Sequence, residues 1–348
     1  MQPLRQILGA ASGSDKIIAL AEGDDPRNVE AALMIRDESV ARVILVGNPE
    51  IITTHMAAHG TSPIDLTGQI DIHDPANSPL LDEFRDTLVD LRAHKGMTPE
   101  QATTQVRQRL TFAALLVQTG RADGTVGGSV ETTSDTVRTA LQIIGKAPGA
   151  AMVSSFFFML YCKEHHTVKG AHIFADCGLV VDPDARELAE IARASAASYS
   201  ALTGDTARVA MLSFSTAGSA DHPKVSKVVE ATQRAKAADP DLIIDGELQF
   251  DAAFVPEVAA SKASESSLGG AANVFVFPSL NAGNLGYKIA QRVGGATAIG
   301  PVLQGLAKPA NDLSRGCTAE DILHMAAVTV AQSDALDRTR MAGLGVTT

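Results

Sequence analysis

Short apolar runs alternate along this chain with stretches of helical period, and that alternation sharply limits what it can fold into. Runs at 17–21, 41–46, 209–214, 242–244 and 274–277 are each followed by a helical pattern, at 28–38, 50–59, 225–236, 250–261 and 284–293. An apolar strand feeding an amphipathic helix is the βαβ unit, so the spacing predicts an α/β fold of mostly parallel sheets covered by helices. One stretch departs from the rhythm. Apolar runs at 152–161 and 170–176 are joined by the short polar break 162–166, which predicts an antiparallel hairpin. At 348 residues and 45% hydrophobic content the chain exceeds the usual single-domain length, so two domains with a cleft between them are expected. A changeover near Pro148-Gly149 fits the change of pattern.

Several functional classes fall away on composition. No apolar run reaches the roughly 18 residues a membrane span requires. The start, Met-Gln-Pro-Leu-Arg-Gln, lacks the apolar core of an export signal, so a cytoplasmic location is expected. A net charge of −11 opposes nucleic acid and anionic membrane surfaces, both of which demand a broad basic face. Cys162, Cys177 and Cys317 form an odd set without Cys-x-x-Cys spacing, which argues for reduced thiols and reads Cys317 as packing. The nine histidines include no His-Glu-x-x-His, so no metal site is expected. Neither Gly-x-Gly-x-x-Gly after the first strand nor a P-loop motif is present, so nucleotide binding of those kinds is unsupported.

Two segments have the composition of a site. In the stretch 300–321, GPVLQGLAKPANDLSRGCTAED, Pro309 and Asn311-Asp312 punctuate the backbone, placing Ser314 and Arg315 on a turn before a helix N-terminus, where free amides attract anions. Thr318-Ala-Glu-Asp321 has nearly the spacing of a capping box, which would put the Asp321 carboxylate at the third helical position. In Gly127-Gly-Ser-Val-Glu-Thr-Thr-Ser-Asp-Thr-Val-Arg138, a glycine pair and hydroxyl residues enter a helix expected at 135–144, with Thr133 or Ser134 as its cap. Arg138 then lies near the positive helix end, an unfavourable place for a cation unless an anion bridges it to the amides. Asn281-Ala-Gly-Asn284 and Ser213-Phe-Ser-Thr-Ala-Gly-Ser219 each follow an apolar strand, where α/β sheets place ligands, although turn chemistry explains either as well.

Glu22-Gly-Asp, Ala122-Asp-Gly with Asp135-Thr-Val-Arg138, Val153-Ser-Ser-Phe-Phe-Phe-Met, Arg208-Val-Ala-Met-Leu-Ser, Ile244-Asp-Gly-Glu-Leu-Gln, Leu280-Asn-Ala-Gly-Asn and the 300–321 stretch occur in that order. Together they resemble the phosphate acyltransferase family that contains phosphate acetyltransferase and phosphate butyryltransferase. The resemblance implies two α/β/α domains with a central cleft, a fold like the isocitrate and isopropylmalate dehydrogenases. The first domain would comprise residues 1–149 plus 302–348, with 150–301 inserted as the second. The dehydrogenase fold does not carry its chemistry along.

The activity implied is acyl exchange between coenzyme A and inorganic phosphate, by direct attack of the thiol on an acyl phosphate. Detail in Asp312-Leu-Ser-Arg-Gly-Cys and Val153-Ser-Ser-Phe-Phe-Phe-Met favours acetyl over butyryl or broader acyl groups. Asp321 would take the thiol proton, with Ser314 and Arg315 beside it. Arg315 and Arg138 would hold phosphate oxygens, Arg92 would add charge, and Ser129, Thr133, Asn281 and Asn284 would complete substrate binding. Coenzyme A is a substrate in this scheme, so no cofactor is implied; a homodimer formed through the inserted domain is. A reference thiol and a reference aspartate differ by about 4.6 pKa units, so full proton transfer in water would cost roughly 6 kcal/mol, and the site must desolvate the base or couple transfer to bond formation. A covalent Ser314 mechanism is disfavoured, because Ser-Arg-Gly is no nucleophile elbow and His324 has no evident orienting carboxylate. A non-catalytic acetyl-CoA sensor is the alternative from another class. Three positions depart from the family pattern: Ala21 for proline, Glu131-Thr132 for His-Ser/Thr, and Ala217 for glycine. Glu131 would weaken anion binding unless it points away.

Overall fold

The structure is a computed structural model that describes residues 2–343. The chain separates into two compact units, one joining Gln6–Ala150 to the segment from Leu306 onward, the other built on Ala151–Gly305.

The first unit contains a five-stranded sheet in the order β11-β4-β1-β2-β3, with β1 at Ile17–Leu20, β2 at Arg42–Val46, β3 at Ile70–His73, β4 at Gly124–Gly127 and β11 at Ala310–Asp312. All neighbours run parallel. Central β1 is buried from Ile18 to Leu20, as a strand covered by helices on both faces requires. Helix starts are written in the sequence: Asp25 caps Pro26–Asp37 and Asn48 caps Pro49–Ala58, each followed by proline at the first helical position. The long helix Ala319–Gly343 lies against β4 and the helix Pro26–Asp37. Gly124 makes that approach possible, since a β-carbon there would stand 2.4 Å from Thr329 Cγ2. Because β1, β4 and β11 are parallel neighbours, the segments leaving their C-terminal ends, at 21–25, 128–132 and 313–318, emerge side by side.

The second unit holds a mixed six-stranded sheet in the order β10-β5-β6-β9-β7-β8. Its strands are β5 at Ser154–Tyr161, β6 at Gly170–Ala175, β7 at Arg208–Leu212, β8 at Ile243–Leu248, β9 at Val274–Val276 and β10 at Thr297–Gln304. Strands β5 and β6 form the expected antiparallel hairpin, and β10 joins β5 antiparallel at the sheet edge. Two local expectations fail. The helix expected at 250–261 is two helices, Phe250–Phe254 and Pro256–Lys262, because proline restrains its predecessor and Val255 is extended. The helix expected from Asn284 begins four residues earlier, at Leu280, so Asn281 lies in its first turn. Phe157, Phe174, Phe275 and Leu248 belong to the core of this unit.

Candidate active site

At the C-terminal end of β1 the chain delivers Glu22, whose side chain is fully buried. Its carboxylate accepts from the amides of Ser129 at 2.8 Å, Val130 at 3.0 Å and Glu131 at 2.7 Å, and from the Ser129 hydroxyl at 2.5 Å. The glycine loop after β4 thus curls around an internal anion. Those amides are occupied, and the anion they hold belongs to the protein. Ser129, expected to meet substrate, is buried and faces Glu22, with the Asn28 amide donating to its hydroxyl at 2.8 Å. The backbone amide of Glu131 helps anchor the loop to Glu22.

A second tie runs from the first turn of the helix Pro26–Asp37. Arg27 donates from Nε and Nη2 to the two oxygens of Asp25, each at 2.9 Å. Nη2 also reaches the Ser129 carbonyl at 2.8 Å, and Nη1 reaches the carbonyls of Arg315 at 2.8 Å and Cys317 at 3.1 Å. One side chain therefore joins the glycine loop to the turn that carries Ser314 and Arg315.

That turn is closed by the Cys317 amide donating to the Ser314 carbonyl at 2.9 Å. Ser314 and Arg315 are exposed, and the Arg315 guanidinium has no protein partner among the described residues. The capping box forms: the Asp321 amide donates to the Thr318 hydroxyl at 3.2 Å, while the Thr318 amide and hydroxyl donate to Asp321 Oδ2 at 2.9 and 3.0 Å. Every bond to this carboxylate falls on Oδ2, leaving Oδ1 without a protein partner among the described residues.

Between the two loops lies Asp312, the last residue of β11 and fully buried. The Thr133 hydroxyl donates to its Oδ2 at 2.7 Å, while Oδ1 has no hydrogen-bond partner among the described residues. Burial pushes this carboxyl up to about 6, against the hydrogen bond from Thr133. Thr133 is consequently no cap. Thr132 caps the helix Thr133–Ile143, accepting from the Asp135 amide at 3.2 Å, because Thr133 already turns its hydroxyl toward Asp312. Arg138 projects outward and pairs with Asp135 at 2.6 Å. The Thr132 hydroxyl first, and Arg138 second, hold Asp135 below the usual carboxylate range, so a local carboxylate offsets the cation near the helix start. Arg92 ends the helix Leu81–Arg92, which packs against Thr133–Ile143, and its Nε is buried without a partner.

Asn281 and Asn284 belong to the other unit, where the Asn284 amide donates to the Cys177 carbonyl at 3.3 Å. Burial pushes the Cys317 thiol up to about 11, in keeping with a packing residue and not a nucleophile. His324 is buried, its Nε2 stands 3.8 Å from Glu320, and burial lowers its pKa, favouring the neutral imidazole. No group of three or more His, Cys, Asp or Glu side chains able to hold a metal occurs among the described residues.

Sequence reasoning missed the roles of Glu22 and Arg27. For Arg27 a signal was present: a cation in the first turn of a capped helix is as anomalous as Arg138, and the same question of its anionic or carbonyl partner applies.

Comparison with known proteins adds an independent observation. A family model described as Phosphate acetyl/butaryl transferase matches residues 3–330. A phosphate acetyltransferase from Paracoccus denitrificans is 53% identical over 333 residues, covering 96% of this chain and 100% of that protein. Another from Acetivibrio thermocellus is 47% identical, covering 96% and 98%. Among solved structures, a phosphotransacetylase from Streptococcus pyogenes is 43% identical with a TM-score of 0.87, covering 96% of this chain and 98% of that one. The EutD phosphotransacetylase from Staphylococcus aureus is 44% identical with a TM-score of 0.85, covering 95% and 98%.

Proposed function

The chain belongs to the phosphate acetyl/butyryltransferase family, and from that premise we propose that it moves an acetyl group reversibly between coenzyme A and inorganic phosphate. The observation that carries this reading is a carboxylate pinned by one oxygen and open at the other, following in the same segment an exposed serine and an arginine whose guanidinium has no protein partner among the described residues.

In the direction of thioester synthesis, Asp321 Oδ1 takes the proton from the coenzyme A thiol as sulfur bonds to the carbonyl carbon of acetyl phosphate. The carbon–oxygen bond to phosphate then breaks and inorganic phosphate leaves with the bond's electron pair. Arg315 and Arg138 neutralise the phosphate oxygens, Arg92 adds positive charge, and Ser314 donates to the developing oxyanion or orients the thiol. Pinning Oδ2 fixes the direction of the base, and coupling proton loss to sulfur–carbon bonding avoids the cost of releasing a free thiolate. No acyl-enzyme and no resident cofactor is required, since coenzyme A is consumed as a substrate.

The experiment is a thioester-forming assay with acetyl phosphate and coenzyme A, repeated with propionyl and butyryl phosphates. Acetyl phosphate is expected to give the highest kcat/KM. A preference for butyryl phosphate would reassign the acyl group, and binding of acetyl-CoA without thioester formation would make the chain a sensor. Acid-stable label on protein denatured after exposure to radiolabelled acetyl phosphate would refute direct transfer.

The proposal extends to a homodimer in the cytoplasm. Leu285, Ile289 and Val293 recur every four residues along the helix Leu280–Arg292 and its cap, and they are 62%, 59% and 82% exposed. An apolar stripe of this kind is what a second copy of the chain would cover. No helix among the described residues is long and apolar enough to cross a membrane.

A further inference from the structure

Every N–H of Arg27 is committed within the protein. The guanidinium has five N–H donors, and they serve two bonds to Asp25 and one each to the carbonyls of Ser129, Arg315 and Cys317, with Nη1 also 3.8 Å from the Cys317 sulfur. Nothing is left over for a phosphate. By contrast the Arg315 guanidinium has no protein partner among the described residues, and Arg92 Nε is buried without one. Arg27 is thus spent on holding the protein together, whereas the Arg315 guanidinium is left open to a ligand.

What Arg27 holds is specific. Arg315 and Cys317 flank the exposed Gly316 in the turn between Ser314 and the helix that presents Asp321. The turn's own bonds are the closing Ser314 carbonyl contact and a 3.3 Å bond from the Gly316 amide to the Ser314 hydroxyl, neither of which attaches it to the sheet. Ser129, at the other end of the clamp, is fixed to Glu22 by two bonds. Arg27 is itself fixed, because Asp25 both caps its helix and grips its guanidinium. A continuous chain of hydrogen bonds thus runs from β1 through Glu22, Ser129 and Arg27 to the Ser314–Cys317 turn.

We propose that Arg27 is a positioning residue for the acetyl transfer: its guanidinium sets the Ser314–Arg315 turn against the glycine loop without touching either substrate. The inference rests on the reading of Ser314, Arg315 and Asp321 as the reacting site. A lysine cannot substitute, since an ammonium on a single stem cannot span three carbonyls in the plane of a fork. A small displacement of reacting groups is enough to lower turnover about a hundredfold.

The test compares Arg27→Ala and Arg27→Lys with Ser314→Ala and Asp321→Asn in the thioester-forming assay, with amide hydrogen exchange on each. For Arg27→Ala, kcat is expected to fall about tenfold to a hundredfold while both KM values stay within about threefold of the parent. Exchange should accelerate at amides 315–318 and remain unchanged in β1 and β4. Millimolar guanidinium should restore part of kcat to Arg27→Ala in a saturable manner. Arg27→Lys should behave like the alanine variant, and it carries the test if the alanine variant fails to fold. Parental kcat in the Arg27 variants, or a loss expressed mainly in KM with unchanged exchange, overturns the positioning role. Should Ser314→Ala and Asp321→Asn also keep parental turnover, the underlying site assignment fails and not merely the clamp.

Discussion

At the scale of single residues, the two aspartates of the 312–321 segment have opposite environments and so opposite expected behaviour. Asp321 is held by one oxygen at a helix start and offers the other outward. Asp321→Asn keeps the cap's geometry and removes the proposed base, so kcat should fall by roughly 10²–10⁴ with both KM values little changed. Steady-state kinetics with near-parental turnover would return Asp321 to a purely structural cap. Asp312 is sealed in, and burial raises its pKa from 3.8 to about 6. A raised carboxyl means that the folded chain binds the extra proton between those values, so this group's contribution to stability is present at low pH and is lost as pH climbs from about 4 to about 6. Asp312→Asn removes that loss. The stability difference between variant and parent should therefore rise in the variant's favour over this window, by about 3 kcal/mol at most, and flatten above it. Denaturant titrations at several pH values giving a constant difference would contradict the assignment.

At the scale of elements, the site depends on loops being held close to one another. Gly128 has φ +92°, and a β-carbon there would stand 2.2 Å from Asp312 Oδ1 and 2.9 Å from the Leu313 amide nitrogen. Gly128→Ala should cost about 1–3 kcal/mol, read as a lower denaturation midpoint, and should depress turnover as the two loops separate. An unchanged midpoint would mean that the loops accommodate the methyl group. The same scale explains what the sequence made legible. Strands such as β1 and β2, buried on both faces, print continuous apolar runs, and the hairpin of β5 and β6 prints two runs with a polar break. Boundaries set by a single residue were harder: apolar periodicity ran on through Pro256, and three consecutive hydroxyl residues left the cap at 132–134 ambiguous. The 314–321 segment stood out because polar residues and glycine interrupt an apolar context. Glu22 and Arg27 did not stand out, because they grip backbone amides and carbonyls that are distant in sequence and leave no mark on side-chain composition.

At the scale of the whole molecule, the proposed dimer would cover the exposed Leu285, Ile289 and Val293 of the unit built on Ala151–Gly305. Ile289→Asp should convert a dimer to a monomer in sedimentation velocity at micromolar concentration, with the far-ultraviolet spectrum unchanged. A dimer that survives the substitution would place the contact elsewhere. The embrace of Glu22 by the loop after β4 has a further bearing on how activity is gained during synthesis. Its two sides are separated by 107 residues in sequence, and the clamp from Arg27 to Arg315 by 288. Contacts so remote close only after much of the chain has been made and its central strands have paired. The catalytic competence of a nascent chain is thus a late event, reporting on completion of the parallel sheet and not on any local hairpin.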